Sequence, residues 1–296
     1  IEKMKAASFD YVRVTSVQEA CQALADGGED ARIIAGGQTL VPLMAMRLAR
    51  PTLLIDINDV TDLSGISVEK NYLVIKAATR QTDALNSTTI QKHFPILTEA
   101  LSHVGHTQTR NRGTVGGSLV NADPAAEIPL VAIMVDALLV AQSLSGIREI
   151  AAAEFFESAM ATVLTPNECL VEVRFPIWDS INSGHGFHEV SIRDSDFALA
   201  VSSARIKLGN SGICQKLNVA IGGASPVPLR LHQVENELVG KNLKDKEISK
   251  ACDQILDIVD PQSDVHADAS YRRRVVKILA ERAIFSAWDN ARSKRK

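Results

Sequence analysis

Hydrophobic and polar positions in the first sixty residues alternate between two periods. Residues 9–14 (FDYVRV) switch at every second position, the pattern of a half-buried strand. Val17, Ala20, Cys21 and Leu24 then recur at helical spacing. Ser16 and Glu19 stand in capping-box relation ahead of them, and Gly27-Gly28 closes the run. Residues 31–35 (ARIIA) predict a short apolar strand. A second helix is expected over 40–49, with Pro42 in its first turn and Arg50-Pro51 as its stop, and residues 52–57 (TLLIDI) predict a buried strand. Strand, short helix and strand of these lengths predict a parallel crossover unit.

The stretch 61–80 predicts a hairpin, 66–68 against 72–77 around a turn at Glu69-Lys70-Asn71. A helix is expected over 95–104, and the Gly-rich, polar segment 105–127 reads as loop. Residues 128–142 predict helix then strand, and 149–175 a helical patch and one strand (169–175) ahead of Pro176. The polar stretch 181–189 (INSGHGFHE) marks the candidate domain boundary. Beyond it, 187–192, 198–207 and 213–221 predict strands of an antiparallel sheet, followed by helices over 230–239, 245–258 and 269–290. The pattern is α+β.

A chain of 296 residues suits two ordinary domains, or one with a sizeable appendage. Its 46% hydrophobic and 23% charged residues supply a globular core. With 4% aromatic residues and 32 basic against 35 acidic, it carries no nucleic-acid footprint. The basic runs Arg272–Arg274 and Lys294-Arg295-Lys296 read as a solvated helix face and a tail. No apolar run approaches the roughly 20 residues of a membrane span. The start, Ile1-Glu2-Lys3 ahead of Met4, lacks the basic-then-apolar pattern of a leader. Cys21, Cys169, Cys214 and Cys252 are far apart and never form CxxC, which argues against a local zinc or iron–sulfur site and for a reducing, cytoplasmic setting. His103 and His106 have the spacing of one helix face but no third ligand nearby, so no metal site is expected.

Two glycine-rich segments carry the chemistry. Ala35-Gly36-Gly37-Gln38-Thr39-Leu40 lies between a strand and a helix start, where orphan N–H groups and the dipole suit a phosphate. It is neither GxGxxG nor a Walker loop, and taken alone a plain strand-to-helix turn fits it as well. The second segment runs from Asn111 to Glu127. Its three glycines, flanked by Thr114 and Ser118, suit a loop around an anionic or polyhydroxyl ligand, and Asp123 and Glu127 offer acceptors to ribose or ribityl hydroxyls. A tight structural loop is the competing reading. The pair Gly222-Gly223 reads as a turn ending a strand, and Asp56 as an acceptor for local backbone donors.

Together, AGGQTLVPLMAMRLARPTLLIDI (35–57) and RNRGTVGGSLVNADPAAEIP (110–129) resemble the FAD-binding medium subunits of molybdenum hydroxylases, the relatives of xanthine dehydrogenase and carbon monoxide dehydrogenase. The resemblance extends from about residue 5 to residue 290 and includes RDSDFALA (193–200), IGGASPVPLR (221–230) and YRRRVVKILAERA (271–283). It implies a two-part FAD-binding domain of the PCMH/vanillyl-alcohol-oxidase-like type over 1–177, with parts of about 1–58 and 59–177, and a C-terminal α+β domain over 178–296.

The same resemblance implies that Ile33-Ile34-Ala35-Gly36-Gly37-Gln38-Thr39-Leu40 cradles the FAD pyrophosphate with backbone amides. Thr114-Val115-Gly116-Gly117-Ser118 would wrap the other side, with Ser118 standing where many relatives have Asn. Glu127 takes a position that is usually Asp, near the hydroxyl-bearing part of the cofactor, and Val104 and Leu170 match apolar positions of the flavin site. Phe197 matches an aromatic, often Tyr, near the isoalloxazine ring, with ordinary core packing on a strand as the alternative. His188 falls where relatives often carry Lys. No His or Cys lies inside either glycine segment, so the FAD is expected to be held non-covalently.

The implied protein is one electron-transfer subunit of a heterotrimeric enzyme, dimerised as (αβγ)2. A large molybdopterin subunit oxidises the substrate, a nitrogen heterocycle for preference. A small subunit with two [2Fe-2S] clusters relays the electrons, and the flavin hands them to an external acceptor. The competing readings are a self-contained FAD oxidoreductase of the same fold, a non-redox nucleotide-binding module, and a structural subunit that has lost its cofactor.

Overall fold

The computed structural model describes residues 5–294. The chain start ahead of Met4 and the Arg295-Lys296 end of the basic tail lie outside the described residues. The first unit follows its alternation: β1 (Asp10–Arg13), α1 (Val17–Gly27), β2 (Ala31–Ile34), α2 (Leu40–Ala45) and β3 (Leu53–Asp56). Its strands form a parallel sheet in the order β1-β3-β2. Ser16 caps α1 by accepting from Glu19 N at 3.1 Å, and Ala20, Cys21 and Leu24 are the buried stripe. Helix α2 is shorter than the expected 40–49. Arg47 takes φ 58°, and the N–H groups of Leu48 and Ala49 both turn back to Leu43 O, at 2.9 and 3.2 Å. Met46 and Leu48, which extend the apolar pattern, are exposed.

Next come β4 (Ile66–Glu69), β5 (Tyr72–Lys76), α3 (Gln81–Asn86), α4 (Thr88–His93), α5 (Pro95–His103), α6 (Thr107–Arg112), α7 (Val115–Asn121) and α8 (Glu127–Met134). They are followed by β6 (Leu138–Ser143), β7 (Gly146–Ala151), α9 (Ala152–Phe155), β8 (Phe156–Ser158), β9 (Ala161–Thr162) and β10 (Cys169–Pro176). The main sheet here is antiparallel in the order β4-β5-β10-β6-β7.

Three expectations are corrected in this part. The segment 105–127 is not a loop, because α6 and α7 run through it with Gly116 and Gly117 in the first turn of α7. Strand β7 lies outside the expected elements, since four of its six residues are exposed and the alternation is broken by Arg148-Glu149; Arg148 pairs with Glu168 at 2.6 Å and Glu149 with Arg174. His103 and His106 do not share a helix: His103 ends α5 and packs on the Phe187 ring at 5.1 Å, while His106 precedes α6.

The remaining elements are β11 (Ser183–Ser191), β12 (Ala198–Leu208), β13 (Cys214–Gly222), β14 (Leu229–Arg230), α10 (His232–Leu238), α11 (Asp245–Cys252), α12 (Ile255–Ile258) and α13 (Ala269–Ser293). The strands form an antiparallel sheet in sequence order. One face is covered by the helices that follow it, Val276, Leu279, Ala283 and Ile284 of α13 sharing a core with Ala204, Ile206 and Leu217. From the other face Phe187, Val201 and Ala220 enter the core that contains α5 and α8.

The stretch 181–189, read as the candidate domain boundary, is largely strand, with residues 183–189 in β11. A Cβ at Gly184 would stand 2.0 Å from Ala287 O and one at Gly186 2.4 Å from Ala283 O, so the glycines let α13 lie against the β11 backbone. Arg272 is no part of a solvated face either. It is buried and donates to Leu199 O at 2.7 Å and Gly223 O at 3.2 Å, with Asp264 at 2.7 Å on its other nitrogen.

Candidate functional site

A cavity of about 520 Å³ lies where the first glycine segment, the start of α7, the start of α8 and β10 converge. The sheet orders explain the convergence. The first segment leaves β2 at the edge of the parallel sheet, while β5 and β10 are neighbours in the second sheet and carry Ala77 and Leu170 to the same wall. Every residue assigned to the cofactor from the sequence lines this cavity except Val115 and His188. Val115 is fully buried on the core side of α7. The ring nitrogen Nε2 of His188 meets Ser286 Oγ at 2.8 Å, and burial, with Arg282 and His103 nearby, lowers its pKa. No extra positive charge stands at that position. Phe197 lines the mouth at 71% exposure, which excludes the core-packing alternative.

The two glycine segments use their backbones differently. In the first, Gly37 takes φ +69°, a left-handed turn that aims the chain into α2. The amides of Gly36, Gly37, Gln38 and Thr39 meet no protein acceptor among the described residues. In the second, Val115 N donates to Thr79 O, Gly116 N to Ala77 O, Gly117 N to Thr114 Oγ1 and Ser118 N to Thr114 O, at 3.0, 2.8, 3.0 and 3.1 Å. The amides there are taken. Gly116 is needed because a Cβ would stand 2.5 Å from Ala77 Cβ. Gly36 is needed because a Cβ would stand 2.2 Å from Arg112 O, so it brings the two segments together rather than making room for a ligand.

Helix α8 sets the electrostatics. All eight of its residues are buried. Fully burying a side chain such as Ile128 or Leu130 contributes about 1.5–3 kcal/mol, and this apolar burial draws Glu127 out of water with it. Burial, opposed by one backbone N–H and aided by the charge of Asp123, pushes the Glu127 carboxyl up to about 7. Burial also raises Asp123, although its Oδ1 accepts from Ala125 N at 2.9 Å. Behind this pair, burial and then the charges of Glu127 and Asp194 push Glu189 up to about 8, and its Oε2 is buried without a partner. At neutral pH Glu127 thus offers the cavity wall a carboxyl that can donate as well as accept.

Sequence reasoning missed several wall residues, among them Arg32, Leu43, Gln81, Asn121, Met160 and Cys169. Gln81 was findable only through its contact: Nε2 donates to Thr114 O at 3.4 Å and Oε1 is buried without a partner. Met160 comes from the β8–β9 turn and carried no signal. Cys169 stands beside Leu170 on β10; burial pushes its thiol up to about 12, so it is not a thiolate. Among the described residues no group of three or more His, Cys, Asp or Glu is arranged to hold a metal.

Family comparison decides what such a cavity belongs to. Residues 7–178 match the model for the FAD binding domain in molybdopterin dehydrogenase, and residues 185–287 match the carbon monoxide dehydrogenase flavoprotein C-terminal domain. The chain belongs to the FAD-binding medium subunits of the molybdenum hydroxylases.

Among these medium subunits, the chain is 40% identical over 98% of its length to the 6-hydroxypseudooxynicotine dehydrogenase complex subunit alpha of Paenarthrobacter nicotinovorans, of which it covers 97%. It superposes with a TM-score of 0.93 on a chain of the carbon monoxide dehydrogenase of Hydrogenophaga pseudoflava, at 32% identity over 96% of this chain and 99% of that one. For the quinoline 2-oxidoreductase of Pseudomonas putida the values are 0.91 and 33%, over 99% and 100%. The residues present fit the cofactor of medium subunits: four unused amides, the orphaned Gln81 oxygen and the Glu127–Asp123 carboxyls all border one cavity.

Proposed function

We propose that this chain is the electron-exit subunit of a molybdenum hydroxylase, with FAD held non-covalently in the cavity. The observation that carries the site assignment is the run of unused amides at Gly36–Thr39 on the cavity wall. An anionic diphosphate is the ligand class such a run of backbone donors suits. Glu127 and Asp123 stand where hydroxyls can be bound: burial holds the Glu127 carboxyl near 7, so it can donate as well as accept, and Asp123 supplies acceptor oxygens beside it. Val104 and Leu170 flank the site as apolar walls that exclude water. Phe197 supplies an aromatic face at the mouth.

When bound, FAD supplies the capacity to take electrons singly and release them in pairs. The chain's own residues position and shield it, and no nucleophile–base pair lines the cavity. Electrons would arrive from a small [2Fe-2S] subunit and originate at a large molybdopterin subunit, in an (αβγ)2 assembly. A nitrogen heterocycle is proposed as substrate. Support comes from relatives whose names carry such rings: caffeine dehydrogenase at 34% identity, nicotine 6-hydroxylase at 34%, and the quinoline enzyme.

Anaerobic mixing of the isolated, FAD-loaded chain with heterocyclic substrates, followed in the flavin absorption band, is the test. No bleaching is expected until the iron–sulfur and molybdenum subunits are added. Bleaching of the chain by an organic substrate alone would favour a self-contained flavoenzyme instead.

A further inference from the structure

A second layer of residues, outside the cavity, joins the two glycine segments. Asn58 follows β3, and its Nδ2 donates to Ala35 O at 3.0 Å, the carbonyl immediately before Gly36. Its Oδ1 accepts from Arg80 Nη2 at 2.6 Å. Arg80 Nη1 in turn donates to Arg112 O, the carbonyl immediately before Gly113. This is the same carbonyl that Gly36 abuts. The Asn58 side chain is seated from below: Asp56 Oδ1 accepts from Asn58 N at 2.9 Å and Nδ2 at 2.5 Å. The other Asp56 oxygen is held by the Tyr11 hydroxyl and by Arg13 Nη2 at 3.0 Å.

The backbone of Arg80 is tied to the second segment as well. Residue 80 forms an isolated bridge with Thr114, and Gln81 N donates to Gly113 O at 2.9 Å. Neither Asn58 nor Arg80 lines the cavity. No carboxylate lies within ion-pair distance of Arg80 among the described residues, so its fork is spent on two neutral acceptors, one bonded to each segment. A planar guanidinium can satisfy both directions at once, whereas an ammonium on a flexible stem holds no such geometry.

We infer that Asn58 and Arg80 are positioning residues, a two-residue clamp that fixes the first glycine segment against the second and so sets the spacing of the dinucleotide site. The inference rests on the FAD reading of the cavity. Because the donors at Gly36–Thr39 are useful only when aimed before the ligand arrives, a released clamp acts on affinity more than on folding.

The test uses the full chain in its assembled, deflavinated complex, titrated with FAD and followed by flavin fluorescence. Asn58→Ala and Arg80→Ala are each expected to weaken FAD binding by about ten- to a hundredfold, the scale of the charged Arg80–Asn58 hydrogen bond that both variants break. The double variant should bind about as weakly as the worse single one, because both break the same bridge. The flavin's visible circular dichroism should shift, while the thermal midpoint of the flavin-free complex stays near wild type. Arg80→Lys keeps the charge and loses the fork, and it should not recover affinity; Arg80→Gln replaces Arg80→Ala if that variant does not fold. Affinity within about twofold of wild type in the alanine variants overturns the clamp. So does full recovery by Arg80→Lys, or additive losses in the double variant. A wild-type complex that takes up no FAD overturns the cavity reading itself, and is told apart from these by the wild-type titration alone.

Discussion

At residues 36–39 the backbone N–H groups meet no acceptor among the described residues, whereas at residues 115–118 each one is already bonded within the fold. Both stretches are glycine-rich, and both border the same cavity. The difference teaches that glycine content reports two separate needs. In the first segment a left-handed turn at Gly37 leaves donors open. In the second, Gly116 lets a helix start rest on Ala77, and the helix presents side chains rather than amides to the cavity. One segment is a donor array, and the other is the buttress that holds it in place.

The largest effect should come from the contact between them. Gly36→Val places a branched side chain where even a Cβ lies 2.2 Å from Arg112 O. Overpacking of this kind costs about 1–3 kcal/mol or more. The thermal midpoint should fall by several degrees and FAD uptake should be lost; a variant that loads fully at the wild-type midpoint would show that the contact is dispensable.

A pair of milder changes sharpens the comparison. Gly37→Ala forces a side chain into φ +69°, a cost of about 1–2 kcal/mol borne where the open amides are aimed. Roughly tenfold weaker FAD binding is expected. Gly117→Ala brings a methyl 2.7 Å from Thr114 Oγ1 and strains a helix cap worth about 1 kcal/mol, so it should lower stability with little change in affinity. Equal affinity losses in the two variants would erase the distinction between donor array and buttress.

A smaller, pH-dependent effect belongs to the acidic wall. Glu127 is raised from its ordinary 4.5 to about 7, and Glu189 from 4.5 to about 8. Between those values the folded chain holds protons that the unfolded chain has released, so stability is greatest on the acid side and falls as pH rises through the window. Thermal midpoints of the flavin-free chain measured across this range should decline. Glu127→Gln and Glu189→Gln should each flatten the decline, and a slope unchanged in both variants would rule out these carboxyls as its source.

The smallest effect on the fold should come from Phe197→Ala. At 71% exposure the ring contributes little to stability, so the midpoint should stay put. Flavin fluorescence should rise if the ring lies over the cofactor, and an unchanged spectrum would remove Phe197 from the site.

Much of this was legible in the sequence because it is local. The alternation of residues 9–57 determines the parallel unit, and Ser16 caps α1 at the predicted place. Asp56 accepts from the local backbone at Asn58, as its strand context suggested, but also anchors Tyr11 and Arg13. What escaped depends on partners distant in the chain. Val115 looks like a loop residue until α7 forms and turns it into the core. His188 cannot be told from a cation without Ser286, and Arg272 reads as solvated until Leu199 O and Gly223 O are seen beside it. Asn58 and Arg80 carry no motif at all, because what they touch is backbone.

The glycines of β11 have a consequence for how the chain is made. Strand and helix meet across a long loop in sequence, as in the bond from Asn290 Nδ2 to His185 O, 105 positions apart. Contacts of this separation form slowly, since the intervening chain must be ordered first. Until residues 269–293 are in place, the face of β11–β13 at Ala204, Ile206 and Leu217 has only α10–α12 on it and lacks the α13 share of its cover, Val276, Leu279, Ala283 and Ile284. The packing of this sheet is thus finished only when α13 arrives, and in the interval its partly covered strands present apolar surface of the kind that chaperones shield.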